Sequence, residues 1–232
     1  MLSLGQIYGI SVYGKLWHLP APFSIQVLCP NIVVIRSPFK LAFHRWSDHV
    51  RIMPILPTGD TIRLATAADL PWLLPIERQA AQRFLTCLDQ TGLTAAILEQ
   101  TKAIADFEQA CRSEHLWVAV SPTRQLVGFA FVRMLDGYAH LEELDVLPDH
   151  GKRGIGRALV AAVYDWAQGA GHPGVTLRTF REVPWNAPFY QRCGFRIVDS
   201  AQLSPQHGEL EKAEQRLGLR TDLRVSMVYR CD

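Results

Sequence analysis

Three glycines and two cations fall within six residues at Gly151-Lys152-Arg153-Gly154-Ile155-Gly156, with Arg157 directly behind them. Glycine lets a backbone approach a ligand closely, and the unpaired N–H groups that open a helix carry partial positive charge, so a loop of this kind suits an anion. Lys152, Arg153 and Arg157 add full charges to the same spot, which makes a diphosphate the natural ligand. The run is not a P-loop, because no Gly-Lys-Ser/Thr is present. It is not the dinucleotide fingerprint either, because its first glycine is misplaced for GxGxxG and no acidic ribose partner follows at the expected spacing. Just upstream, His140, Glu142, Glu143 and Asp145 gather an imidazole and three carboxylates, the side chains that move protons near neutrality. On a regular strand His140 and Glu142 share one face and Glu143 and Asp145 the other, a count that a bulge would change.

The elements that must position these groups can be read from pattern and punctuation. Residues 61–65 alternate as a short strand, and a helix capped near Thr66 is expected over residues 68–84, with Leu70, Leu73, Leu74, Glu77 and Ala81 at helical spacing. A second helix lies within residues 102–112. The β-rich runs 115–120, 126–134 and 138–147, separated by Ser121-Pro122 and Asp136-Gly137, predict a meander. After the glycine loop, Ile155, Leu159, Val163 and Trp166 mark a helix that stops at GAGHPG. A strand at 175–180, a short helix at 186–192 ended by Gly194, a strand at 195–199, a polar helix at 206–217 and a last strand at 223–229 complete the order. This succession predicts an α+β fold, a mixed and mainly antiparallel sheet flanked by helices on both faces. Phe84, Trp72, Trp117 and Trp185 are expected in the core, as aromatics generally are.

Composition narrows the function classes. The chain has 232 residues, 48% hydrophobic and 20% charged, so a packed core is expected. Residues 1–52 hold five Lys or Arg against one acid, Asp48, which leaves the remainder of a chain of net charge +2 slightly acidic. No clustered basic stripe is present, and nucleic acid is set aside as a partner. No apolar run approaches the ~18–20 residues of a membrane span. Five widely spaced cysteines without a CxxC pair suggest neither disulfides nor a metal site and fit free thiols in a cytoplasmic protein.

The run LEELDVLPDHGKRGIGRALVAAV resembles the first signature of the GNAT superfamily, a strand of the form Leu-x-Val-x-Pro followed by Gln/Arg-x-x-Gly-x-Gly/Ala and a helix. PWNAPFYQRCGF resembles its second, Asn, then Phe-Tyr, then Gly-Phe. The two matches cover residues 141–195, and the element order extends the likeness to about residues 61–230. One departure is visible, because Gly151 stands at the Gln/Arg position of the loop.

The resemblance implies an N-acetyltransferase that takes acetyl-CoA as co-substrate and transfers directly to a primary amine, with no acyl-enzyme and no metal. It further implies that the backbone of Leu144, Asp145 and Val146 pairs with the pantetheine arm. Lys152, Arg153, Gly154, Ile155, Gly156 and Arg157 would hold the pyrophosphate, and Asn186 would touch the coenzyme. Tyr190 takes the position of the acid that protonates the leaving thiolate, and the base falls at Glu142, with His140 second and Glu143 third. Glu77 is expected to face the acceptor cleft and, with Glu142, to favour a cationic amine. The acceptor, a small molecule or a protein amine, stays open, as does a competing reading as a CoA-binding sensor with little catalysis.

Residues 1–52, aromatic and Pro-punctuated, are expected to be a poorly structured, dispensable extension upstream of a working start at Met53, with residues 53–232 the domain. A homodimer paired through the last strand at a sheet edge is a further expectation.

Overall fold

The computed structural model describes the strands at residues 8–12, 15–19, 24–29 and 32–36, residue 56, and residues 58–231. The chain divides into two compact units, Met1–Arg51 and Ile52–Asp232. In the first, β1 (Tyr8–Val12) pairs antiparallel with β2 (Lys15–Leu19), and β3 (Ser24–Cys29) with β4 (Ile32–Arg36). The rest of residues 1–52, and Met53, lie outside the described residues.

In the second unit, β5 (Thr61–Leu64) leads through a 3-10 turn into α1 (Leu70–Ala81). Two short helices, α2 (Leu88–Thr91) and α3 (Ala95–Leu98), precede α4 (Ile104–Arg112). The meander follows as β6 (Leu116–Val120), β7 (Leu126–Leu135) and β8 (Tyr138–Val146). Then come α5 (Ile155–Gly169), β9 (Gly174–Phe180), α6 (Ala187–Arg192), β10 (Arg196–Val198), α7 (Pro205–Arg216) and β11 (Arg224–Arg230). The predicted elements are all present within a few residues. α2 and α3 went unread because four residues are too few to show a helical period.

The 3-10 turn at Ala67–Asp69 that leads into the helix over residues 70–81 is opened by a capping box of Thr66 and Asp69, with Thr66 N and Oγ1 both donating to Asp69 Oδ2. Arg63 clamps the same carboxylate through two contacts of 2.6 and 2.8 Å, and these donors hold the Asp69 carboxyl down at about 2.

Seven strands form one sheet in the order β10-β11-β9-β8-β7-β6-β5, antiparallel throughout except for β8 against β9. Both faces are covered. α5 buries Ile155, Leu159 and Val163 against Trp117, Leu141, Leu177 and Met227. α1 and α4 bury Leu73, Ile76 and Phe107 on the other face, against Leu116, Val118, Phe129 and Phe131. Burying each such side chain contributes about 1.5–3 kcal/mol. β6 shows why its run is apolar without interruption, since Leu116 and Val118 go to one face and Trp117 and Ala119 to the other.

Three expectations are corrected. β11 is paired on both sides, by β9 and β10, so it is no sheet edge through which a second copy would pair; β5 and β10 are the outer strands. Trp72 is 61% exposed rather than core, while Trp117 is fully buried. β8 carries a bulge: Val132 faces Leu141 and Phe131 faces Glu143, leaving Glu142 as the extra residue. Ala139 and Leu141 before the bulge, and Leu144 and Val146 after it, all join the α5 cluster. His140, Glu143 and Asp145 therefore share the opposite face, which an uninterrupted count cannot give.

Candidate functional site

β8 and β9 run parallel only at Ala139↔Val175 and His140↔Thr176, then part. From Leu141 onward the edge of β8 that faces β9 has no strand partner, and its peptide groups are left for something else to bond. A cleft of about 790 Å³ opens there, lined by residues 141–146 of β8, residues 177–180 of β9, the glycine loop, Asn186, Phe189 and Tyr190.

α5 starts at the floor of this cleft. Gly154, in the left-handed region at φ +86°, turns the chain into the helix, and the first turn presents N–H groups that have no partner within the helix. At Gly156 a Cβ would lie 3.4 Å from the Phe189 ring, so the start of α5 packs directly against the cleft wall. Lys152 and Arg153 are exposed, and Arg153 Nη2 donates to the Asp149 carbonyl at 2.9 Å. Arg157 and Arg192 also line the cleft. A loop with these donors and charges fits a diphosphate.

On the opposite face of β8 four acids meet. Glu142, at the bulge, pairs with Lys102 Nζ at 2.9 Å and with Arg133 Nε at 2.8 Å. Burial works to raise its carboxyl, but the two cations outweigh burial and hold it below the usual range. Glu142 also borders a second, smaller pocket, which it shares with Lys102, Asp106, His115 and Arg133. Glu143 lies between Glu77 of α1 and Asp145, close to both carboxyls. Burial, and then the charges of Asp145 and Glu77, push the Glu143 carboxyl well up. Burial and Glu77 push Asp145 up to about 7. Glu77, itself buried, accepts the backbone N–H of Lys102 at 3.0 Å. The arrangement thus separates one carboxylate kept ionised from a group that holds protons near neutrality.

Tyr190 is 8% exposed and lines the cleft. Burial, followed by the negative charges of Asp145 and Glu143, raises its phenol and keeps it protonated, the state a proton donor needs. Asn186 precedes α6 but does not cap it with its side chain. Instead Nδ2 donates to Thr179 Oγ1 at 2.6 Å, fixing the loop to β9, and Oδ1 is buried without a partner.

The structure brings together at the cleft the residues singled out from the sequence except His140, Arg153 and Glu77, which do not line it. Leu144, Asp145, Val146, Lys152, Gly154, Ile155, Gly156, Arg157, Asn186, Glu142, Glu143 and Tyr190 line it. His140 is 2% exposed, and its Nδ1 bonds Thr176 Oγ1 at 3.0 Å behind the cleft wall. Burial takes its imidazole down to about 3, so it stays neutral. Phe84 and Trp185, expected in the core, line the cleft, and Arg83 stacks on Trp185 with 4.6 Å from guanidinium to ring centroid. Lys102 and Arg133 were not read from the sequence, and no local signal marks them: Lys102 stands 40 residues from the carboxylate it pairs with. Among the described residues no group of His, Cys, Asp or Glu is placed to hold a metal ion, and no helix is long and apolar enough to cross a membrane. Cys87, Cys111, Cys193 and Cys231 form no disulfide.

Residues 82–195 match the acetyltransferase (GNAT) family. Over 141 residues the chain is 29% identical to mycothiol acetyltransferase of Clavibacter sepedonicus, covering 61% of this chain and 44% of that protein. Over 90 residues it is 31% identical to the uncharacterized N-acetyltransferase YjcF of Bacillus subtilis (strain 168), covering 39% of this chain and 61% of that one. The chain thus spans about half the length of the curated relatives it matches. In fold it is similar to the PaiA N-acetyltransferase from Thermoplasma acidophilum, solved in complex with coenzyme A, with a TM-score of 0.55 and 16% identity, covering 74% of this chain and 98% of that chain.

Proposed function

The chain belongs to the acetyltransferase (GNAT) family, and on that premise we propose that it is an acyltransferase whose cleft binds acetyl-CoA and passes the acetyl group directly to a primary amine. The observation that carries this reading is the parting of β8 from β9 beyond His140, which leaves an unpaired strand edge between the start of α5 and the acidic cluster.

In this reading the first turn of α5, with Lys152, Arg153 and Arg157, holds the diphosphate. The free edge of β8 at Leu144, Asp145 and Val146 bonds the amides of the pantetheine arm, as an added strand would. The unpartnered Oδ1 of Asn186 takes up a donor from the same arm. Tyr190 gives its phenolic proton to the departing thiolate.

An amine attacks a thioester only when neutral, so an ammonium acceptor must first give up a proton. Glu143 and Asp145 take it. Asp145 sits at about 7, where a base is both available and strong enough, whereas Glu142 is committed to Lys102 and Arg133. Glu142 helps to attract the cation. Small-molecule and protein amines both satisfy these requirements.

The test is release of free CoA thiol by the full chain, supplied with acetyl-CoA and a panel of alkylamines, amino acids, peptides and aminoglycosides. Turnover with one class names the acceptor. Coenzyme binding without turnover on any of them would replace the transferase with a CoA-binding module.

A further inference from the structure

His140 is excluded from the cleft but not from hydrogen bonding. Its Nδ1 meets Thr176 Oγ1 of β9 at 3.0 Å, and the same oxygen meets His207 Nε2 of α7 at 2.9 Å. His207 Nδ1 meets Ser204 Oγ at 2.6 Å, and Ser204 stands beside Asp136 on the exposed β7–β8 turn and helps to hold its carboxyl below the usual range. His140, Thr176 and His207 are each at most 2% exposed. At the other end, His140 Nε2 faces Glu142 Oε2 at 3.8 Å, too far for a hydrogen bond. Hydrogen bonds thus join His140, Thr176, His207 and Ser204 behind β9, with Glu142 of the cleft at one end of the line and Asp136 of the surface at the other.

The chain has a direction. Asp136 is an ionised carboxylate and only accepts, so Ser204 donates to it. His207 Nδ1–H then donates to Ser204, and its bare Nε2 accepts the Thr176 hydroxyl proton. Thr176 Oγ1 in turn accepts from His140 Nδ1–H, and His140 Nε2 is left as a lone pair directed at Glu142. Both imidazoles carry their proton on Nδ1, because a single hydroxyl hydrogen lies between Nδ1 of one and Nε2 of the other.

We propose that Asp136, Ser204, His207, Thr176 and His140 form a proton relay serving the acceptor side of the cleft. The proposal rests on the transferase reading. With an ammonium acceptor the reaction RNH3+ + acetyl-CoA → amide + CoA thiol + H+ releases one proton, and the relay takes it up until the products leave. That proton, taken first by Glu143 or Asp145, moves to Glu142 and, as the 3.8 Å gap between Glu142 Oε2 and His140 Nε2 closes, on to His140 Nε2. Each group along the chain hands its own proton to the next, and Ser204 delivers one to Asp136 and solvent. Both imidazoles end as the Nε2–H form, and neither becomes a cation. When the products leave and water reaches Glu142, the shift reverses: the Nε2 proton departs through Glu142 and a solvent proton restores Ser204. The charged groups facing His140 are Glu142 of β8, Arg133 of β7 and Arg178 of β9, with His207 of α7 beside it. Those facing His207 are Asp136 and Arg133. Burial, and then the cations on this list, keep imidazolium out of the path. His140, Thr176 and His207 are positioning residues in this scheme, acting on the substrate through Glu142.

Two measurements on the full chain test it. Long-range 1H–15N NMR reads the imidazole tautomers: Nδ1–H on both His140 and His207 is expected, and an Nε2 proton on His140 in the wild-type resting state would overturn the directed chain. Thiol release is then compared for wild type, Thr176→Val and Thr176→Ser, with an alkylamine that is charged at the assay pH and an aromatic amine that is not. Loss of the hydroxyl in Thr176→Val is expected to lower kcat about tenfold or more for the charged amine, to spare the neutral one, and to be rescued in Thr176→Ser. Equal kcat in Thr176→Val and wild type would overturn the relay and leave the transferase standing. No thiol release by wild type with any amine would remove the transferase instead, and the tautomers alone then decide whether the directed chain exists.

Discussion

Lys102 Nζ lies 2.9 Å from Glu142 Oε1, joining the loop before α4 to the bulge of β8. The pair holds the Glu142 carboxyl low, so it contributes stability at any pH above the carboxyl's unfolded value and loses it as pH falls through the folded one. Lys102→Met is expected to cost about 1–3 kcal/mol at pH 7, less than the ~3–5 kcal/mol for a buried charge left without any partner, because Arg133 remains. Urea midpoints at pH 7 and pH 3 check this: the difference between variant and wild type should shrink at the lower pH.

Tyr190→Phe removes the proton donor while keeping the ring that packs at 5.5 Å centroid distance from Phe195. Steady-state kinetics should show kcat lower by about 100-fold or more and KM for acetyl-CoA nearly unchanged. An unchanged kcat would take Tyr190 out of the acid role.

Gly154→Asp puts a side chain at φ +86° and a negative charge where the diphosphate binds. The backbone strain costs about 1–2 kcal/mol. Acetyl-CoA affinity by calorimetry is expected to fall at least tenfold, more than the loss of stability accounts for.

Asp145 is pushed up to about 7, so the rate should rise as pH passes through that region and level off above it. Stability runs the other way. Between the unfolded value and about 7 the folded state keeps a proton that the unfolded state has lost, and stability falls as pH rises. Asp145→Asn should therefore abolish the rise in rate and stabilise the protein by about 0.5–2 kcal/mol at pH 8, as relieving a strained functional site commonly does. A pH–rate profile and thermal melts at pH 5 and pH 8 check both signs.

What the sequence made legible is what local pattern controls. The helical spacing of Ile155, Leu159 and Val163, the turns at Asp136-Gly137 and Ser121-Pro122, and the glycines before α5 each act over a few residues, and each element lies within a few residues of its expected place. The carboxylates of β8 were visible as residues, but their faces were not. The single extra residue at Glu142 is set by pairing with β7, a contact between strands. It turns Glu143 and Asp145 towards Glu77 and leaves Glu142 to Lys102 and Arg133. Phe84 and Trp185 were read as core by composition, but where β9 parts from β8 they become cleft wall. His140 carried the right chemistry for a base, and only tertiary packing against Thr176 and His207 shows that it lies behind the wall.

The account depends on the gap between β8 and β9 being a coenzyme site, and calorimetric titration of the full chain with acetyl-CoA tests that most directly. One-to-one binding, weakened by added salt because Lys152, Arg153 and Arg157 meet the diphosphate, is the expected result. No heat at any coenzyme concentration, from protein shown to be folded, would contradict it.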